Sequence, residues 1–314
     1  MKLCSSSMLD SMKRRILLII VVVLLLAFGV WALFARKESE GDKVKVTASF
    51  YPMAEFTRQI GGQYVEVQTL VGPGVEPHDF DPRPQDLTGL YRSKLFVYNG
   101  AGLEHWADRI QGDVSKRGIE VVRTSDGIKT LPTEDQSEGP TDPHIWLDPI
   151  RASQQVDAIL AGLKKTDPAH TSYFEQRASA YKAALSALDQ AYQAGLATCT
   201  SREIITSHTA FRYVADRYRL HLTSLTGLSP DEEPSPQKLA DVATFVREHN
   251  IKYIFFETLV SPKLAQTISR ETGAKTLVFN PIEGLTKEEM QQGKDYMSIQ
   301  KENLQNLRLA LDCK

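Results

Sequence analysis

A chain of 314 residues exceeds the usual size of one domain and has room for two cores of ordinary dimensions. Apolar residues make up 42% and charged residues 24%, a mixture that argues against a disordered or fibrous chain. The net charge of -2 lacks the excess of Lys and Arg that a nucleic-acid groove demands, so nucleic acid is not an expected partner.

At the N-terminus, Lys13, Arg14 and Arg15 precede an unbroken, uncharged apolar run at residues 16–35. About twenty apolar residues suffice to cross a bilayer as a helix, and the basic cluster ahead of them sets an inside N-terminus. The reading is a cytoplasmic stretch 1–15, a transmembrane anchor or signal segment 16–35, and an exported remainder. The run is longer than a usual signal core and ends Leu33-Phe34-Ala35, with a bulky residue at the −3 position. Both features favour a retained anchor over cleavage into a secreted or periplasmic form. No Cys follows the run closely, so acylation as a lipoprotein is not expected by that route. Cys4 stays inside, and Cys199 and Cys313, the pair in the exported portion, are expected to form a disulfide in an oxidising compartment.

Residues 36–43 form a charged linker. Residues 44–49 read as a strand, 52–60 as a helix with Pro in its first turn and Gly61-Gly62 at its end, and 64–71 as a second strand. Short apolar strands follow at 95–98 and 119–123, around a helical stretch 103–116. Strand and helix alternating in this way predict a mainly parallel sheet covered by helices. Residues 125–142, acidic and rich in turn formers, are a surface loop. At Asp167-Pro168 an N-cap and a first-turn Pro start a long helix, whose Tyr181, Leu185, Leu188, Tyr192 and Leu196 make one apolar stripe. Roughly thirty residues would reach about 45 Å. Beyond it strands are expected at 202–206, 220–225, 252–257 and 276–279, with helices starting near Ala210, Pro236 and Pro262. The fold expected is α/β: an N-terminal lobe 44–166 and a C-terminal lobe 198–314, each with a mainly parallel sheet, joined by a rigid helical segment 167–197.

The chemistry concentrates in three of seven histidines. In open α/β sheets ligands bind beyond the carboxyl ends of the strands. His78 sits in the loop after the second strand, His144 beyond the strand at 119–123 and its long loop, and His208 directly after the strand at 202–206. Three imidazoles and one carboxylate make the four-coordinate shell that zinc accepts without geometric strain. Glu283, just after the strand at 276–279, is the expected fourth ligand, with another carboxylate or water as alternatives. Asp79, Asp148 and Glu257 are candidates to orient the imidazoles. His105, His170, His221 and His249 read as structural or superficial.

These stretches also carry a resemblance. Glu76-Pro77-His78-Asp79-Phe80-Asp81-Pro82, Tyr98-Asn99-Gly100-Ala101-Gly102-Leu103-Glu104, Asp142-Pro143-His144-Ile145-Trp146-Leu147-Asp148-Pro149, Ser207-His208-Thr209-Ala210-Phe211-Arg212-Tyr213 and the run from Gly227 to Pro236 occur in order. The sequence resembles the metal-binding, zinc-type solute-binding proteins of ABC importers, from about Val44 to the C-terminus. The resemblance implies two pseudo-symmetric lobes, a rigid connecting helix, and Zn2+ as transported cargo held by His78, His144 and His208. It also implies an ABC importer permease as partner.

Manganese-type relatives tend to have a carboxylate where this chain has His208, and harder oxygen ligands suit manganese while imidazole suits zinc. One departure stands out: zinc-type members often carry a His-rich loop before the second ligand motif, and residues 125–142 contain no histidine. A manganese importer component is the nearest alternative, followed by a zinc hydrolase and a chelate receptor. No His-Glu-x-x-His helix is present, so an enzyme is not expected. A monomer outside the cytoplasmic membrane is.

Overall fold

The computed structural model describes residues 16–20, 23, 43–133, 139–230 and 232–314. The chain separates into two units, Met1–Lys43 and Val44–Lys314. Of the first, residues 16–20 and 23 are helical and exposed. Most of the anchor expected at 16–35, the cytoplasmic stretch 1–15, the linker 36–43 but for Lys43, and the centre of the 125–142 loop lie outside the described residues. No helix among the described residues is long and apolar enough to cross a membrane.

The second unit begins with β1 (Val44–Ala48), α1 (Tyr51–Gly61), β2 (Val65–Thr69), α2 (Pro84–Leu90), β3 (Leu95–Tyr98), α3 (His105–Lys116) and β4 (Glu120–Arg123). The four strands form one parallel sheet in the order β2-β1-β3-β4. Central β3 is buried along its whole length, as a strand covered on both faces must be. Two helices follow, α4 (Pro149–Thr166) and α5 (Thr171–Leu196), separated by a 3-10 turn Pro168–His170. Asp148 caps α4 by accepting from the Ile150 N–H at 2.9 Å.

The long helix is shorter than the roughly thirty residues expected from a start at Asp167-Pro168. Asp167-Pro168 opens the 3-10 turn, and α5 starts at Thr171 and runs 26 residues, about 39 Å. All five predicted stripe residues are buried, together with Phe174 and Ala178. They pack against α1, α4 and α10 (Tyr296–Ala310).

The remainder repeats the strand order of the start. It contains β5 (Glu203–Thr206), α6 (Arg212–Tyr218), β6 (His221–Ser224), α7 (Pro236–Glu248), β7 (Tyr253–Phe256), α8 (Lys263–Thr272), β8 (Lys275–Val278) and α9 (Lys287–Gln291) before α10. Parallel pairs β5–β6 and β7–β8 form, with β5 beside β7, so the spatial order β6-β5-β7-β8 echoes β2-β1-β3-β4. One apolar cluster extends from Val44 through the α5 stripe to Leu311, so both halves share a core along the spine. The expected Cys199–Cys313 disulfide is formed and spans 114 residues of sequence. In the chain-entropy account a loop of that length is worth about 5 kcal/mol.

Candidate metal centre

Each histidine singled out in the sequence stands beyond the carboxyl end of a parallel strand. His78 follows β2, His144 follows β4, and His208 lies two residues past β5. Glu283 comes five residues after β8. The fold brings all four together: their ligand atoms lie within 4.8 Å of one another. His144 Nε2 is 3.2 Å from His78 Nε2 and 3.3 Å from His208 Nε2. Glu283 Oε1 is 3.3, 3.2 and 3.4 Å from the Nε2 atoms of His78, His144 and His208 respectively.

Those separations carry a size. In a regular tetrahedron the edge is about 1.6 times the centre-to-vertex distance, so the His144, His208 and Glu283 donors, 3.2–3.4 Å apart, are spaced as one tetrahedral face around a point about 2.0–2.1 Å from each, the bond length of zinc to nitrogen and carboxylate oxygen. His144, His208 and Glu283 are sealed from solvent, and the His78 side chain is 10% exposed.

The imidazoles are aimed by carboxylates. Asp142 Oδ1 lies 2.8 Å from His144 Nδ1, and Glu257 Oε2 lies 2.6 Å from His208 Nδ1. A proton held on Nδ1 leaves the Nε2 lone pair facing the centre. The same two acids also accept the backbone N–H of their histidines, at 2.9 Å for His144 and 3.1 Å for His208. Glu76 does this for His78, at 3.1 Å.

Of the orienting candidates named from sequence, Glu257 does the work and two do not. Asp79 is exposed. Asp148 is spent on the α4 cap and on the guanidinium of Arg151. Sequence reasoning missed Glu76 and Asp142. Their signal was visible as a repeated acid-Pro-His tripeptide, Glu76-Pro77-His78 and Asp142-Pro143-His144, in which the acid turns back onto the N–H two residues on.

Charge at the centre follows from burial and these contacts. Burial holds the His78 imidazole below its ordinary pKa. Burial also works against protonated His144 and His208, but the carboxylates win: Asp142 raises His144, and Glu257 with Glu283 raises His208 well above the usual range. Burial opposes a charged Glu283 as well, and the His208 charge with hydrogen bonds from three imidazoles holds it well below. Burial and the neighbouring Glu283 charge push Glu76 up to about 9.

Glu283 is placed by strained backbone. Ile282, a β-branched residue, takes φ 58°, in the left-handed region that such residues avoid. Asn280 holds the turn, its Oδ1 accepting the Ile282 N–H at 2.7 Å, and Asn303 of α10 brackets Asn280 through both its backbone N–H and C=O. The other four histidines stand elsewhere. His105 is exposed at the start of α3, His170 stacks on Tyr64, His221 pairs with Glu203, and His249 stacks on Phe245 at the end of α7.

Residues 46–310 match the family model described as zinc-uptake complex component A, periplasmic. The chain is 39% identical over 285 residues to the high-affinity zinc uptake system protein ZnuA of Bacillus subtilis, covering 87% of this chain and 89% of that protein. It is 35% identical over 288 residues to the zinc-binding lipoprotein AdcA of Streptococcus pneumoniae, covering 88% of this chain but only 57% of AdcA. The crystal structure of the Zn(II)-bound ZnuA-like domain of that pneumococcal protein superposes with a TM-score of 0.77 at 36% identity, over 86% of this chain and 99% of the domain. A buried three-imidazole, one-carboxylate cluster between strand ends, set in a match that runs almost from β1 to the last helix, places the chain in the zinc-uptake complex component A family.

Proposed function

We propose that this protein captures zinc outside the cytoplasmic membrane and passes the ion to an ABC importer, with His78, His144, His208 and Glu283 as its ligands. The observation that carries this reading is the buried set of three imidazole nitrogens and one carboxylate oxygen, all within 4.8 Å of one another, with the His144, His208 and Glu283 donors 3.2–3.4 Å apart. Manganese favours six oxygen-rich positions, which this nitrogen-dominated cluster does not offer. A catalytic zinc keeps a position for water, whereas four protein donors fill the shell here and support capture over turnover. All four donors come from one chain, which supports a monomer as the working unit.

Metal analysis of the purified full chain should find one zinc per molecule. Competition should then leave that zinc in place against about 100-fold excess manganese, as the ligand softness requires. Displacement by manganese at equal concentrations would remove the zinc reading. The basic cluster and apolar run at residues 13–35 support attachment to the membrane. Cell fractionation should find the protein with membranes; a soluble mature form starting beyond residue 35 would show that the segment is a cleaved signal.

A further inference from the structure

The segment from Asp142 to Pro149 precedes the spine in sequence, yet much of its bonding reaches past the spine. Tyr213 Oη donates to the Asp142 carbonyl at 2.7 Å and accepts the Leu131 N–H at 3.0 Å. Trp146 Nε1 donates to the Pro281 carbonyl at 2.8 Å, and Tyr296 Oη donates to the Trp146 carbonyl at 2.5 Å. Arg217 Nε lies 3.4 Å from Asp148 Oδ1 and 2.5 Å from Asp189 Oδ1 on the spine. Between the two α6 residues, the Arg151 guanidinium pairs with Asp148 and lies over the Tyr213 ring at 4.8 Å. Asn99 Nδ2, from the first half, donates to the Pro143 carbonyl at 2.9 Å. The segment carrying His144 is thus stitched from both sides.

The loop carrying His78 is held otherwise. One backbone bond crosses to the Glu283 loop, from the Gly74 N–H to the Leu285 carbonyl at 3.0 Å. A Cβ added at Gly72 or Gly74 would meet nothing within 4 Å. Among the described residues no carboxylate bonds to His78 Nδ1, in contrast to His144 and His208.

We propose that Tyr213 and Arg217 are positioning residues that fasten the His144 segment to the second half, so that His144, His208 and Glu283 stand as a fixed three-donor face onto which His78 closes. This rests on the metal-site reading above and adds the source of its geometry. Helix α6 starts four residues after His208, so one short helix sets the spacing of two imidazoles. A fixed face at tetrahedral spacing selects a small four-coordinate ion; loosening it lets the donors spread toward the larger shell that manganese takes.

The test uses Tyr213→Phe, which removes only the hydroxyl, and Arg217→Lys, which keeps the charge and loses the planar fork. Cobalt(II) reports geometry, because a tetrahedral complex absorbs strongly in the visible and a six-coordinate one weakly. The full-length protein should give the strong band. Both variants should give a weaker band and a zinc-to-manganese affinity ratio lower on the order of tenfold, the low end for outer partners of metal ligands. His78→Ala should still bind one cobalt per chain and lose less affinity than His144→Ala.

Variants whose band and metal ratio equal those of the unaltered protein would overturn the α6 role while leaving the site intact. A His78→Ala loss as large as that of His144→Ala would overturn the three-plus-one arrangement. If the unaltered protein itself binds no zinc and shows no tetrahedral band, the metal-site reading falls, and this inference with it.

Discussion

Replacing His208 with Ala should lower zinc affinity by about 100-fold or more, whereas His105→Ala should leave it unchanged. A four-ligand zinc site binds with roughly 10–16 kcal/mol, so one ligand accounts for about 3 kcal/mol, and each 1.4 kcal/mol is tenfold. The substitution does further harm, because Glu257 is 3% exposed and would keep a buried carboxylate without its imidazole partner. His105 is exposed at the start of α3 and is not part of the cluster, which makes it the control. Titration against a competing zinc chelator measures both. Equal losses in the two variants would dissolve the distinction between ligand and bystander on which the site rests.

Zinc affinity should fall steeply as pH drops, and the fall should begin above the ordinary imidazole range near 6.5. The sign follows from proton competition. Zinc needs the Nε2 lone pairs free, so any imidazole protonated in the metal-free protein must release its proton on binding. His208 and His144 have raised pKa values, so each holds a proton at a pH where a free imidazole would already be neutral. Above both values no proton is displaced and affinity is flat. Below both, two protons are displaced, and affinity falls by up to about 100-fold per pH unit. His78, whose pKa is lowered, joins only at more acidic pH. Zinc isotherms from mildly alkaline to mildly acidic pH, with proton release measured in buffers of differing ionisation heat, check the slope and the window. A flat profile down to pH 6 would contradict three imidazole ligands.

Strands were the legible part of this fold. Each of the eight lies within two residues of its expected ends; inner β3, β5 and β7 read as short apolar runs because they are largely buried, whereas β2, β6 and β8 at the edges carry exposed positions. Helices were less so. The sequence reading assigns no helix at α2, α4, α9 or α10, although Ala152, Val156, Ile159 and Leu163 of α4 recur at helical spacing and are all buried. The start of α5 was placed three residues early because Asp-Pro opens a 3-10 turn as readily as an α-helix.

At the site, residue type and place after a strand were enough to select His78, His144, His208 and Glu283. The orienting acids were harder, since which carboxylate reaches a ring depends on how its loop turns. Proximity in sequence favoured Asp79 and Asp148; the proline between acid and histidine turns Glu76 and Asp142 inward instead. The long-range bonds of Tyr213, Trp146 and Arg217 to Asp142, Pro281 and Asp148 carry no local sequence signal, because their partners are 69 to 135 residues away.

The bridge between Cys199 and Cys313 makes the second half of this chain a covalent ring. His208 and Glu283 both lie inside it. A single peptide-bond cut anywhere from Thr200 to Asp312 therefore opens the ring without shedding a fragment, and both donors remain on one molecule. Under limited proteolysis, that closure separates being nicked from being lost.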